Sequence, residues 1–170
     1  MPHESGLTRE LRSLLHTQRV AAMGTTSDAG SAFVSMVPYA IVVALEPALA
    51  CLVIHVSGLA VHTRNLQARA QVSLLVMRPE VPGEPVHALP RVTLEGLAEV
   101  LEPGSPAWRA CRAAYLQRFP EAEPMTGLGD FMFVAVHAKG ARQVAGFGAA
   151  RSLDADEVRL ALAPAPAGQD

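Results

Sequence analysis

The sequence predicts a mainly β protein, an antiparallel barrel dressed with short helices. Apolar residues fall into runs of strand length rich in Val and Ile, such as Val72 to Met77. The helical patterns between them are short and do not alternate regularly with the strands, which argues against a doubly wound parallel sheet. The 170 residues show no internal repeat and no compositional break, so they make one domain.

The elements follow in order. Leu7, Leu11, Leu14 and Leu15 repeat at helical spacing and predict a helix over 7–18, with Thr8 as its N-cap. Residues 19–26 read as a first strand, and Ser27-Asp28-Ala29-Gly30 supplies turn chemistry. A second strand is expected over 31–44, and Glu46-Pro47 turns the chain into a third over 49–56. The apolar stretch from Ala32 to Val61 is broken by Pro38 and by Glu46-Pro47, so it reads as strands and not as a membrane helix. Ser57-Gly58 ends the third strand, and 59–69 reads as a short helix. After the buried strand at 72–77, prolines 79, 82, 85 and 90 exclude regular structure and predict a surface loop. Residues 91–101 form another strand with a bulge at Glu95-Gly96. Ser105-Pro106 opens a helix in the order cap, then proline. Trp108, Arg112, Tyr115 and Phe119 share one of its faces, and Pro120 stops it. Phe131 to Val136 and Ala141 to Phe147 read as a final hairpin around Lys139-Gly140. A short helix over 153–162 precedes a disordered Pro/Ala/Gly tail from 163.

Composition excludes several function classes. Half the residues are apolar and 18% charged, at a mean hydropathy of +0.23, so the chain is not intrinsically disordered. Yet 29 residues are alanine and only eight are aromatic, a core that buries little area per residue and points to a homodimer. A net charge of −2 provides no basic field for nucleic acid or an anionic membrane. The cations are 13 Arg and one Lys, Lys139, a bias that suits anion recognition and equally a GC-rich genome. Cys51 and Cys111 lack paired spacing and read as small buried side chains. The polar N-terminus lacks a signal peptide's apolar segment, so a cytoplasmic protein is expected.

No GxGxxG, Walker loop, HExxH or GxSxG occurs, the histidines lack zinc-site spacing, and no catalytic residue is singled out. The informative segment is Ser57 to Leu66 (Ser-Gly-Leu-Ala-Val-His-Thr-Arg-Asn-Leu), which sets polar side chains at a strand-to-helix junction. Helix N-terminal amides with His62, Thr63 and Arg64 beside them suit a phosphate; the same residues suit an ordinary capped surface helix.

Val34 to Tyr39 (Val-Ser-Met-Val-Pro-Tyr), His62 to Leu66, Val72 to Val76 and Arg91 to Gly96 (Arg-Val-Thr-Leu-Glu-Gly) together resemble the FMN-binding split barrels related to pyridoxamine 5′-phosphate oxidase. Pro90 to Leu94, Tyr115-Leu116, Gly129-Asp130-Phe131 and Val144 to Gly148 resemble the branch of HugZ-type haem-utilisation proteins. The match runs from about Leu7 to Leu153. The resemblance implies a six-stranded antiparallel split barrel over 1–153, with 154–170 a helix and tail, and a homodimer holding FMN between its subunits. By position it places Ser35 and Val37 along the flavin and ribityl chain. It places Ser57, His62, Thr63, Arg64 and Asn65 at the phosphate, and Arg91 against the flavin ring. The expected function is a flavin-dependent oxidoreductase of unknown substrate, the flavin carrying the chemistry.

The haem branch supplies an alternative, and a cofactor-less binding dimer a third. Haem-degrading relatives hold iron through a histidine after the Gly-Phe-Gly element, assisted by an aspartate that Asp130 matches. Here no histidine occurs from 138 to 170, and His137 reads as a strand histidine and not as an axial ligand.

Overall fold

The computed structural model describes residues 4–44 and 49–165. Among these, eight strands form one antiparallel sheet: β1 (Val20–Thr26), β2 (Ala32–Pro38), β3 (Ala40–Ala44), β4 (Leu49–Ser57), β5 (Gln71–Met77), β6 (Arg91–Val100), β7 (Phe131–Val144) and β8 (Ala150–Asp154). The helices are α1 (Gly6–Thr17), α2 (Val61–Ala68), α3 (Pro106–Arg118) and α4 (Ala155–Leu162). Strand order is β2-β1-β5-β6-β7-β4-β3, with β8 added to the end of β7.

Alternation along the strands divides the apolar residues between two cores. The sheet curls into a half-barrel whose concave side holds Met23, Leu52, Leu74, Leu94 and Val134, closed by Leu11 and Leu15 of α1 and Leu162 of α4. On the convex side, α3 lays Cys111, Tyr115 and the adjoining Phe119 on Cys51, Val53 and Phe133. Ser105 caps α3 by accepting the Trp108 N–H at 3.1 Å, with Pro106 at its first turn as expected. Only half of the convex face is covered: α3 lies over β3, β4 and β7, while β2 leaves Val34 and Met36 67% and 64% exposed.

Four expectations change. The strand expected over 31–44 is two, because the chain leaves one sheet edge at Pro38, which has no N–H to continue the ladder, and joins the other as β3. With β8 added and the two strands expected over 131–147 joined into one, the sheet has eight strands where the resemblance implies six. The hairpin expected at Lys139-Gly140 is absent; β7 runs unbroken through both residues. The reversal into β8 falls instead at Gly146-Phe147-Gly148, where both glycines take positive φ, 155° and 73°. Finally, Ser5 and not Thr8 caps α1, accepting the Thr8 N–H at 3.2 Å. The expected Glu46-Pro47 turn and the end of the tail, 166–170, lie outside the described residues.

The expected bulge is present and is built on β7. Glu95 pairs with Gly140 and Gly96 with Ala138, so Lys139 is the extra residue. Ala138 and Ala141 both point into the concave core, leaving Lys139 on the bare convex side.

Candidate functional site

The β4–α2 junction brings most of the predicted cofactor residues together, and they spend their polar atoms on one another. Ser57 Oγ donates to Asp130 Oδ2 at 2.9 Å and accepts the Leu59 N–H at 3.1 Å. Thr63 Oγ1 donates to the Ser57 carbonyl at 2.6 Å, and Asn65 Nδ2 to Thr25 Oγ1 at 3.0 Å. The Asp130 carboxylate therefore stands beside the helix N-terminus, where its charge opposes an incoming anion. His62 Nδ1 lies 2.9 Å from Ser35 Oγ, while its Nε2 is buried without a partner among the described residues. Burial holds the His62 pKa below the usual histidine value, favouring the neutral ring. The Arg64 side chain is exposed and makes no hydrogen bond or ion pair among the described residues.

Two predicted residues sit apart. The Val37 side chain is buried in the concave core, so only its backbone faces away from it. Arg91, at the start of β6, turns its guanidinium back onto the Leu89 carbonyl at 2.9 Å.

The described histidines differ in what their rings can still do. His16 Nε2 bonds the Leu162 carbonyl at 3.0 Å. The His55 ring packs 4.4 Å from Phe133 and 5.1 Å from Phe131, and burial lowers its pKa. His87 is exposed on the turn Val86–Ala88. His137 is different: it sits beside the bulge with its side chain 34% exposed and Nε2 2.7 Å from Glu99 Oε2. A carboxylate only accepts, so Nε2 carries the proton and Nδ1 of the neutral ring keeps a lone pair. Sequence reasoning passed over Glu99 because nothing in a 38-residue separation links it to His137. The β6–β7 register does: His137 stands opposite Leu97, two residues from Glu99.

A half-barrel of antiparallel strands with flanking helices defines the class of split barrels. The chain belongs to the pyridoxamine 5′-phosphate oxidase family, whose model matches residues 7–145. It is similar to heme oxygenase HutZ of Vibrio cholerae, 30% identical over 104 residues that cover 61% of this chain and 59% of that protein. It is also similar to the chloroplastic non-canonical heme oxygenase HOZ of Arabidopsis thaliana, 34% identical over 139 residues, 81% of this chain and 40% of that one. Among solved structures, a haem-binding protein from Mycobacterium smegmatis superposes with a TM-score of 0.80 at 26% identity, covering 92% of this chain and 61% of that one. The chain thus spans less than two thirds of the length of these relatives.

These relatives overturn the expectation of an FMN flavoprotein: they are named for haem, as in the second branch of the resemblance. At the junction the Ser57 and Thr63 hydroxyls bond Asp130 and the Ser57 carbonyl. Among the described residues, no helix is long and apolar enough to cross a membrane.

Proposed function

We propose that the protein binds haem and works in haem utilisation. The similarity to two haem oxygenases over 61% and 81% of the chain carries this reading. The donor chemistry fits: an imidazole nitrogen is a common protein ligand of haem iron, and His137 would offer Nδ1 while Glu99 orients the ring through Nε2. When bound, haem supplies the redox chemistry; the chain supplies the ligand, the orientation and an apolar surround. Adding hemin to the purified protein is expected to raise a saturable Soret band shifted from that of free hemin. An unshifted, non-saturating band overturns the reading.

The haem-binding protein is further proposed to be a homodimer. The small alanine-rich core and the apolar side chains exposed on β2, Val34 and Met36, support this. Sedimentation is expected to give a dimer that Met36→Asp shifts towards monomer. A wild-type monomer at micromolar concentration refutes it.

A further inference from the structure

The chain has two cysteines, and the fold brings them together in the convex core. Cys51 lies in β4, paired in register with Val42 of β3, and Cys111 lies midway along α3. Both are free thiols and 0% exposed. Rings one turn to either side of Cys111 fix the seat of the helix. Trp108 and Tyr115 each meet Phe133 of β7 edge-on, with centroids 5.8 and 5.7 Å apart. These contacts hold α3 against rolling and keep Cys111 on the strand that carries Cys51.

The two thiols share a hydrogen bond in which Cys51 is the donor. That bond pushes the Cys51 thiol up and holds the Cys111 thiol below the ordinary cysteine value, although burial opposes the second shift. The pair is unequal in consequence: Cys111 is the better nucleophile, and Cys51 keeps its proton. Cys51 also follows the Leu52–Val136 pair on the β4–β7 ladder and so stands beside His137. The charge of Glu99, which accepts from His137, pushes both thiols up.

We propose that Cys51 and Cys111 are a redox pair that closes to an internal disulfide under hydrogen peroxide and so fastens α3 to β4. The Cys111 thiolate attacks one peroxide oxygen, the O–O bond breaks, and the leaving hydroxide takes up the thiol proton as water. The Cys51 sulfur then attacks the Cys111 sulfenic acid and the S–S bond forms. The sulfenic hydroxyl leaves with the Cys51 proton as a second water. The two thiols together lose two electrons, and the peroxide gains them. Because the thiols already share a hydrogen bond, closure needs only a small approach of α3 to β4. Full burial makes the reaction wait on local opening of the helix and keeps it slow.

Hours of peroxide treatment of the reduced, haem-free protein test it, followed by unfolding in iodoacetamide and measurement of the intact mass. No hemin is present, so this outcome and that of the hemin titration fail separately. The expected product has lost two hydrogens, takes no alkyl group, and yields a cross-linked peptide pair containing Cys51 and Cys111. Its Tm is expected to rise by about 5 °C or more, as for a cross-link between distant segments, and to fall back under dithiothreitol. Cys51→Ser is expected to stop at the Cys111 sulfenic acid, which dimedone traps. Cys111→Ser is expected to leave Cys51 open to alkylation after the same treatment. Should either variant fail to fold, the wild-type mass and peptide map decide alone. A wild type that takes two alkyl groups after peroxide overturns the inference, as does a product with sulfinic acids and no cross-link. A reducible disulfide between two copies of the chain overturns it equally.

Discussion

Gly96→Ala is expected to be the most damaging single methyl group in this protein. A Cβ at position 96 would lie 2.6 Å from the His137 carbonyl oxygen, 3.1 Å from its carbon and 3.3 Å from the Ala138 Cα. All three are backbone atoms, so no side chain can swing away, and relief requires β6 and β7 to separate at the bulge. Overpacking of this kind costs about 1–3 kcal/mol where neighbours can move, and more where they cannot. A loss of about 3 kcal/mol or more is expected, and for a domain of this size that lowers Tm by roughly 10 °C. Thermal and denaturant unfolding measure it, with Gly24→Ala as the control. There the nearest atoms stand 3.8 Å away and the change is expected to be small. Equal melting of the two alanine variants would show that the bulge yields and does not constrain the barrel.

The Gly96 contact also shows where sequence and structure part. Glu95-Gly96 is visible as a bulge because a glycine inside a strand pattern has few other uses. Which strand carries the extra residue is not visible, since that is a property of the pairing. Both Lys139-Gly140 and Gly146-Phe147-Gly148 have turn chemistry, and only the backbone shows that the two glycines of the second segment take positive φ while Gly140 does not. The α3 helix is legible to the residue at its start because Ser105 and Pro106 act locally on the helix they open. The Pro38 break is equally local, but its consequence, a chain that crosses from β1 to the far edge beside β4, is set by the closing of the whole sheet.

The candidate site divides the same way. Ser57, Thr63 and Asn65 are legible as a polar junction from their spacing. Their partners are not: Asp130 is 73 residues from Ser57, and Thr25 is 40 from Asn65. A hydroxyl is a phosphate ligand or a structural bond according to what faces it, and sequence spacing does not say which. The same limit hid Glu99, an exposed strand glutamate until the register brings it to His137.

Replacing His137 is expected to have the largest effect on the ligand. In His137→Ala the imidazole Nδ1 is gone, and the hemin Kd is expected to rise about 100-fold or more, near 2.7 kcal/mol, with the Soret maximum moved towards that of free hemin. Glu99→Gln keeps an oxygen that can accept from Nε2 but removes the charge that strengthens the bond. A carboxylate orienting a metal-bound imidazole is typically worth about 10–100-fold in affinity, so a rise of about tenfold is expected. Both side chains are substantially exposed, 34% and 60%, so the ion pair itself adds little stability and both variants are expected to melt with the wild type. Loss of the iron's imidazole alters the band's wavelength as well as the affinity. A His137→Ala protein that binds hemin with an unmoved band places the iron on another donor, and the free nitrogen beside Glu99 then has no role in the site.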